Sequence, residues 1–509
     1  MKLNYKRTFY VGFAFFLICT FWQAYDTIVP KILTDKFGLN QTWSGAVMAL
    51  DNIFALFQLP HFGTLSDKCK SKMGRRSPFI LVGTVIAVIA FMLMSVADNV
   101  QLKKINAASP TEPTAQAVLY ENVDTFKTPE GEEVNLKDKY TLENYCAIPM
   151  YNEDGDVTEE YTNYVVSARR AYAAKITESD PSALIFFVAM LLLALLSMST
   201  FRSPAVALMP DVTVKPLRSK GNAIINLMGT AGGMLVLGLG IVFKTSAAGK
   251  TDFSVYLITV SVVMIAALVV FLLTVKEPLW ASEAEAENAK LDQENNKVEE
   301  ARVVGKLSRG ELTSLILILA SVALWYIGYN AITSKYSVYA SEVLKVPYTV
   351  TLLVAQGAAI VSYIPVGMVA SKLGRKKTIL AGVLMLGVAF ASASFIKEGV
   401  NPIVMYMLFS LAGIGWATIN VNSFPMVVEL AKNGDVGKYT GFYYTASMTA
   451  QIVTPILSGF LIDTIGWKVF FPYSAIFVGC AFITMFFVKH GDSRPEEKSA
   501  LEALAGADD

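Results

Sequence analysis

Long apolar stretches recur along the whole chain, separated by short polar connections and two long polar segments. An α-helix needs about 20 mainly apolar residues to cross the roughly 30 Å hydrocarbon core of a bilayer. The stretches reach that length, so they predict an all-α membrane protein with twelve transmembrane helices. The predicted helices span residues 9–33, 43–63, 79–97, 183–210, 221–243, 253–275, 312–340, 349–370, 378–396, 402–424, 440–462 and 467–488.

The second of the two long polar segments divides this pattern into two pseudo-symmetric sets of six helices, and the first segment interrupts the first set. The first segment is a mixed polar insert between helices 3 and 4, and the second is an acidic linker with helical propensity. The insert is either a tolerated surface insertion or a small subdomain that acts as an ordered lid. The predicted units are an N-terminal bundle (1–97 and 183–275), the insert (98–182), the linker (276–310), a C-terminal bundle (311–489) and a tail (490–509).

Lysine and arginine are concentrated in the short loops of one side. Loops 64–78, 211–220 and 371–377 are basic, whereas the other side is poorer, with Lys36 in its first loop and Lys468 in its last. Short loops on the cytoplasmic side of membrane proteins carry an excess of these residues. The sequence therefore predicts cytoplasmic N- and C-termini, an extracellular insert and a location in the plasma (inner) membrane.

The composition excludes several other classes of protein. The 509 residues are 54% apolar and 17% charged, whereas soluble chains carry about 25% charged residues. The four cysteines and two histidines lack metal-ligand spacing, so we expect no metal, no cofactor and no disulfide framework. No basic stripe indicates a nucleic-acid partner, and no GxxxxGK[ST] loop indicates ATP-driven transport. No nucleophile and base can be paired from these helices, so an enzyme is not expected.

A short motif occurs twice, after helix 2 and after helix 8. Residues 63–76 read GTLSDKCKSKMGRR and residues 367–377 read GMVASKLGRKK. The matching positions indicate a repeat of six helices. Glycine lets helices approach closely, and we expect Asp67 to pair with Arg75 or to accept from a helix N-terminus near Gly437. The residues predicted to form a cytoplasmic gate are Gly63, Asp67, Arg75, Arg76, Asp211, Gly367 and Arg375.

These two loops resemble the signature loops of the major facilitator superfamily. The longer string GTLSDKCKSKMGRRSPFI more closely resembles the sucrose/proton symporters and their bacterial and animal relatives, near the glycoside–pentoside–hexuronide:cation symporters. The string RSPAVALMPD, residues 202–211, resembles the end of helix 4 in both groups. The resemblance implies the major facilitator fold and sugar symport. Two features of this chain differ from the pattern of the superfamily. Ser371 stands where the superfamily usually has aspartate, and the insert has no counterpart.

Three ionisable residues stand out inside the predicted helices, namely Asp26, Asp51 and Arg202. A charge in the bilayer core costs roughly 2.5–3.5 kcal/mol on insertion scales, so each is a candidate functional residue. At 1.5 Å per residue both acids lie about 12 Å below the outer boundary, and Arg202 lies near the midplane. We therefore expect one cavity in which two carboxylates share a proton or cation and an arginine competes for them. A purely bracing Asp–Arg pair is the alternative.

The expected coupling ion is a proton. The melibiose-type carriers within the resemblance have further acids in helix 2, at positions occupied here by Ala55 and Leu59. Their sodium site is therefore not implied for this chain. Na⁺ remains the alternative coupling ion.

Sugars are recognised by amides and hydroxyls that pair with several OH groups, and by aromatic faces. Such side chains occur at helical spacing on several predicted helices of both bundles. Polar residues also join neighbouring membrane helices, but amides on four helices exceed that requirement. The predicted substrate-binding residues are Trp325, Tyr329, Asn330, Gln356, Asn420, Tyr444, Gln451 and Asn226.

The sequence predicts a secondary active transporter that takes up a sugar or glycoside, disaccharides included, with protons by alternating access. We expect it to function as a monomer surrounded by membrane lipid, with a small molecule as its substrate. One alternative is a proton-coupled exporter of small amphiphilic compounds, although GTAGGMLVLGLG in helix 5 lacks the proline typical of such exporters. A second alternative is a non-transporting receptor that acts through the insert. Deletion of the insert would abolish receptor activity and is expected to spare transport.

Overall fold

The computed structural model shows a mainly helical chain with a short two-stranded sheet. The described residues are 3–129, 131–153, 157–214, 217–247, 251–295, 308–397, 399–428, 430 and 436–491. The helices are α1 (Tyr5–Asp35), α2 (Gln41–Asp67), α3 (Ser77–Lys104), α4 (Ala115–Asn122), α5 (Leu136–Lys139), α6 (Leu142–Cys146), α7 (Ser167–Ser179), α8 (Ser182–Asp211), α9 (Arg218–Val242), α10 (Ser254–Thr274), α11 (Glu277–Asn295), α12 (Arg309–Tyr339), α13 (Tyr348–Leu373), α14 (Arg375–Ala393), α15 (Pro402–Val428), α16 (Val436–Ile465) and α17 (Phe470–Phe486).

Side chains fix the starts of several long helices. Asn4 accepts from the Arg7 amide before α1, and Asn40 accepts from the Trp43 amide before α2. Ser308 forms a capping box at the start of α12. Each cap satisfies a backbone donor that the helix itself leaves without a partner.

Twelve of these helices form the membrane domain. Within the described residues, ten helical stretches are long and apolar enough to span a membrane, and α13 adds a shorter apolar stretch, Tyr348–Tyr363. The remaining helix, α2, is 27 residues long, and its apolar sequence is interrupted by Asp51 and His61. The prediction of an all-α multi-pass membrane protein with twelve membrane helices is confirmed.

The two sets of six helices pack in the same pattern. In the first set α1 packs on α9 and α10, as α12 packs on α16 and α17 in the second. Likewise α3 packs on α8 and α10, as α14 packs on α15 and α17. Each set has its own apolar core, which includes Phe91 and Phe187 in the N-terminal half and Tyr336 and Phe471 in the C-terminal half. The correspondence defines two pseudo-symmetric halves.

The halves meet along three pairs of helices, α1 with α12, α2 with α16 and α9 with α13. The α2 and α16 backbones touch where glycine permits it, since a Cβ on Gly459 would lie 2.6 Å from the carbonyl carbon of Gln41. We call the end of the molecule that carries residues 68–76 and 374–377 the basic-loop end. The opposite end, which carries the insert, is the insert end.

The insert folds as a small subdomain between α3 and α8. It contains α4–α7 and an antiparallel pair, β1 (Thr125–Lys127) and β2 (Glu133–Asn135), in which Phe126 faces Val134. Buried Leu119, Leu136 and Tyr145 join these strands in a separate apolar core. The membrane helices continue slightly beyond the predicted limits of the insert, because α3 ends at Lys104 and α8 begins at Ser182.

The linker between the halves begins with a docked helix, α11. The Arg7 guanidinium at the start of α1 donates to Glu283 and lies 5.2 Å from the ring centroid of Trp280. These contacts join α11 to the N-terminal half at the basic-loop end. Residues 296–307 of the predicted linker and residues 492–509 of the predicted tail lie outside the described residues.

Candidate functional site

A polar cavity of about 190 Å³ lies between the two halves. The N-terminal half contributes side chains from α1, α2 and α8, and the C-terminal half contributes side chains from α12 and α16. All three ionisable residues predicted from the sequence line it. The lining residues are Trp22, Tyr25, Asp26, Met48, Asp51, Asn52, Arg202, Asn330, Thr333, Ser334, Gln451 and Pro455.

The two acids occupy neighbouring helices of the N-terminal half. The Asn52 side-chain amide donates to Asp51 at 2.7 Å, and the Tyr25 hydroxyl donates to the Met48 carbonyl at 3.1 Å, joining α1 to α2. Asp26 and Asp51 line the same cavity. Two carboxylates in such surroundings compete for one positive charge.

Arg202 approaches the same cavity from α8. Its guanidinium carbon lies 5.7 Å from the ring centroid of Trp22, a cation–π distance. Among the described residues no carboxylate oxygen lies within 4.0 Å of its nitrogens. The arginine therefore shares a cavity with the acids without being paired to either.

The C-terminal half faces these charges with neutral polar groups. Asn330, Thr333 and Ser334 of α12 and Gln451 of α16 line the cavity. The structure thus brings together the two predicted amides Asn330 and Gln451 with the three predicted charges. Donors and acceptors from both halves therefore surround one space.

Two predicted aromatic residues do not line this cavity. Trp325 is fully buried in the core of the C-terminal half, contrary to our expectation of a substrate contact. Tyr329 stacks on Trp416, with ring centroids 3.7 Å apart and planes at 3°. Neither residue shares the α12 face of Asn330, because Trp325 lies five residues before it, a net rotation of about 140°, and Tyr329 lies one residue before it, a rotation of about 100°.

The other predicted amides and Tyr444 are not among the residues that line this cavity. Gln356 of α13 donates to Gln23 of α1, which links the halves. Asn226 is buried in α9, and the oxygen of Asn420 is buried in α15. Among the described residues, the side-chain amide atoms of Asn226 have no hydrogen-bond partner. Tyr444 packs beside Phe424, with ring centroids 6.1 Å apart.

Sequence reasoning missed Trp22, Gln23 and Asn52. Trp22 precedes Asp26 by one helical turn and therefore shares its face of α1, a signal that the sequence contained. Asn52 directly follows Asp51 and holds it by a hydrogen bond. Gln23 had no such signal, since only the fold brings it to Gln356.

The predicted gate residues of the first motif form one cluster at the basic-loop end. Arg76 is nearly buried and bonds Asp67 at 2.5 Å and Asp211 at 2.8 Å. Arg75 is more exposed and reaches Asp211 at 3.3 Å. Asp67 thus pairs with Arg76 and not with Arg75, because Arg76 directly precedes α3 and points back between α2 and α8.

Electrostatics keep Arg76 charged in this cluster. Burial lowers the pKa of the Arg76 guanidinium, but Asp211 and then Asp67 outweigh it, so the pKa lies above its ordinary value. Gly63 permits the close packing of α2 on α8, since a Cβ there would lie 2.8 Å from the Ser203 hydroxyl. The cluster therefore holds α2, α3 and α8 together.

The sequence did not indicate that the linker completes this cluster. Glu277 at the start of α11 is almost fully buried, and its carboxylate accepts from the amides of Arg76 at 2.8 Å and Ser77 at 2.7 Å. It thereby caps the N-terminus of α3, where a negative charge is favourable.

The second motif has different contacts. Arg375 begins α14, and Lys376 donates to the carbonyl groups of Phe486 and Val488 at 2.8 and 2.6 Å. Gly367 lies within α13, but its surroundings are outside the described residues, as are those of Gly437. The predicted contact between Asp67 and the start of α16 is therefore not described.

A multi-pass helical fold with two similar halves and a polar cavity between them defines a membrane transporter. A model of the Major Facilitator Superfamily matches residues 171–448 and 351–506, and a model described as MFS/sugar transport protein matches residues 10–104. The chain belongs to the Major Facilitator Superfamily. It is a transporter and not an enzyme, and this membership gives no support to the receptor alternative.

Curated relatives match short segments of the chain. An MFS-type transporter of Metarhizium rileyi is 28% identical over 120 residues, 24% of each chain. A chloramphenicol resistance protein of Acinetobacter baumannii is 31% identical over 112 residues, 22% of this chain and 26% of that protein. A sucrose transport protein of Arabidopsis thaliana is 34% identical over 65 residues, 13% of each chain. The matches thus cover about a quarter or less of these relatives' lengths.

Solved structures match the whole chain. The inward-open conformation of a xylose transporter from E. coli superposes with a TM-score of 0.61 at 13% identity, covering 98% of this chain and 99% of that one. At this identity the structural likeness establishes the fold and does not identify the substrate.

Proposed function

We propose that the protein is a proton-coupled symporter that takes up a sugar or glycoside by alternating access. The observation that carries this proposal is the shared cavity in which Asp26, Asp51 and Arg202 of one half face Asn330 and Gln451 of the other. The matches to sucrose transport proteins and to an MFS/sugar transport model support the choice of substrate class.

A proton on the Asp26–Asp51 pair would remove the repulsion between the carboxylates. Arg202 would then be available to the substrate, because it shares the cavity with the acids and is held by the Trp22 ring face. Sugar hydroxyls would bridge Arg202 to the amides of Asn330 and Gln451 and draw the two halves together. Release of the substrate on the other side would return Arg202 to the acids and favour loss of the proton.

The proposal includes an orientation. The insert would lie outside the cell, and both termini and the basic-loop end would lie in the cytoplasm, following the distribution of lysine and arginine. The protein would act as a monomer in the plasma (inner) membrane.

Export of small amphiphilic compounds is the second candidate. One observation favours it, the 31% identity over 112 residues to a chloramphenicol resistance protein. A cavity with three ionisable residues and several amides favours a hydroxylated solute instead.

A panel of radiolabelled solutes in proteoliposomes tests these proposals. The panel contains monosaccharides, disaccharides, a glycoside and chloramphenicol, with proton and sodium gradients imposed separately. We expect a sugar or glycoside to accumulate in the vesicles when a proton gradient is directed inward. We expect no accumulation when only a sodium gradient is directed inward. Accumulation driven by sodium alone, or proton-driven movement of chloramphenicol without any sugar, would contradict the proposal.

A further inference from the structure

The insert is anchored to the N-terminal half by contacts beyond its two chain connections. The Gln101 amide of α3 donates to Thr177 of α7 at 3.0 Å, and Lys104 forms an ion pair with Asp180 at 2.6 Å. Gly38 has a φ of +67°, and a Cβ there would lie 2.6 Å from Cα of Ala174. The insert therefore moves with the N-terminal half.

One side chain of the insert also reaches the C-terminal half. The Arg170 guanidinium of α7 forms a two-point contact with the Glu342 carboxylate at 2.5 and 2.6 Å. Glu342 lies in the π-helical turn Ala340–Leu344 that follows α12 and is almost fully buried. The contact from Nη2 to Oε1 is a charge-assisted hydrogen bond, whereas the contact from Nη1 to Oε2 is an ion-pair contact. Nearby, the Trp467 amide of the C-terminal half donates to the Pro129 carbonyl of the insert at 3.0 Å.

Arg170 has a second carboxylate partner in its own half. Its Nε donates to Asp35 at the end of α1 at 2.9 Å. Burial lowers the pKa of the Arg170 guanidinium, but Glu342 and then Asp35 outweigh it, so the pKa lies above its ordinary value. If the halves separate, Arg170 can give up Glu342 and keep Asp35. A buried charge left without any partner is costly. Arg170 avoids that cost, because Asp35 remains its partner.

The contact lies where the two halves close the insert end. Below the insert is a second cavity of about 380 Å³, lined by Arg170 and Glu342. At the base of this cavity the two halves are in contact. The Lys335 ammonium donates to the backbone carbonyl of Gln41 at 2.8 Å, and the backbone amide of Gln41 donates to the Asp463 carboxylate at 2.8 Å. The central cavity lies deeper along the same helices. On α2, Asp51 lies ten residues after Gln41, and on α16, Pro455 lies eight residues before Asp463.

We propose that the insert is a clamp on the insert end of the transporter, in which Arg170 holds Glu342 whenever that end is closed. Each transport cycle breaks and remakes this contact. Arg170 is thus a positioning residue for the transport cycle and does not touch the substrate. The inference rests on the proposed alternating access but on neither the substrate nor the coupling ion.

Accessibility of the central cavity tests the clamp. The reporter is Ser334→Cys, a position that lines the central cavity, in a background whose four native cysteines are replaced by serine. A sibling protein that retains Cys146, which is exposed on the insert, identifies the membrane side that bears the insert. A membrane-impermeant thiol reagent is added to that side without substrate or gradient. The rate of labelling then reports how often the insert end opens.

We expect Arg170→Ala and Glu342→Gln each to raise the labelling rate about tenfold, which corresponds to about 1.4 kcal/mol in the opening equilibrium. The double variant is expected to be no faster than the singles, because both changes remove one contact. The matched control is Lys137→Ala, which breaks the exposed Lys137–Asp124 pair of the same insert and is expected to leave the rate unchanged.

Several results would overturn the clamp. These are unchanged labelling in whichever single variant remains monodisperse, fully additive effects in the double variant, or an equal increase in Lys137→Ala. Labelling from the basic-loop side is measured in parallel. Absence of labelling from both sides would contradict alternating access itself, so failure of the proposed function and failure of the clamp are distinguishable.

Discussion

The positions of Arg202 and the two acids govern the chemistry at the scale of single residues. Trp22 holds the guanidinium of Arg202 through its ring face, and Asn52 holds the carboxylate of Asp51. Cation–π contact leaves the hydrogen-bond donors of an arginine at the rim of its plane. Arg202 is therefore placed to bind a ligand in the cavity as well as to neutralise an acid.

We predict that Arg202→Ala weakens substrate binding at least about tenfold, or about 1.4 kcal/mol. Arg202→Lys retains the charge but loses the planar fork of donors, so its affinity should lie between those of the wild type and the alanine variant. Titration calorimetry with the sugar identified in the uptake panel measures both. Unchanged affinity in Arg202→Ala would reduce this residue to a brace between helices.

The charges of the site could be predicted from the sequence, but its neutral lining could be predicted only in part. Asp26, Asp51 and Arg202 interrupt apolar stretches, and an intramembrane charge needs a partner or a cavity wherever the helix lies. Trp325 and Asn330 share α12, and no sequence signal shows which face of that helix meets the other half. The structure places Trp325 in the core and Asn330 in the cavity.

At the scale of elements, the basic-loop end of the N-terminal half is held by one arginine. Arg76 joins α2 and α8 through Asp67 and Asp211, and Glu277 of the linker helix caps α3 beside it. Removing one partner from a fully buried ion pair costs about 3–5 kcal/mol. The cost of losing Arg76 lies below that range, because the Asp67 side chain is 59% exposed and screened by solvent.

Arg76→Ala is therefore expected to lower the thermal stability of the purified protein strongly, whereas Arg75→Ala should have a small effect. The comparison is matched because the two arginines are adjacent and both contact Asp211, but the Arg75 side chain is 44% exposed and that of Arg76 is 5% exposed. Size-exclusion chromatography after heating measures both variants. Equal stability of the two would contradict the central position given to Arg76.

The membrane helices were predictable because length and hydropathy determine them, whereas the insert was not. Its β1–β2 pair and its apolar core around Tyr145 depend on contacts between segments of the same subdomain. The docking of α11 also escaped prediction, since an acidic sequence indicates a solvated helix. Only the fold brings Glu277 to the start of α3.

At the scale of the whole molecule, the described contacts close the insert end and leave a small central cavity. Sites for drug-sized ligands commonly measure about 300–1000 Å³, and the central cavity measures about 190 Å³. Binding of a disaccharide therefore requires the two halves to move apart. Deletion of the insert is a less clean test than the sequence suggested, because the insert packs on both halves.

The central claim is that sugar and proton cross the membrane together through the cavity of Asp26 and Asp51. Addition of the transported sugar to wild-type proteoliposomes in a lightly buffered medium should make the medium more alkaline, because protons enter with the sugar. In Asp26→Asn this pH change should disappear, while exchange of labelled for unlabelled sugar should persist and show that the variant still binds. Sugar uptake without any pH change in the wild type, or an undiminished pH change in Asp26→Asn, would contradict the account.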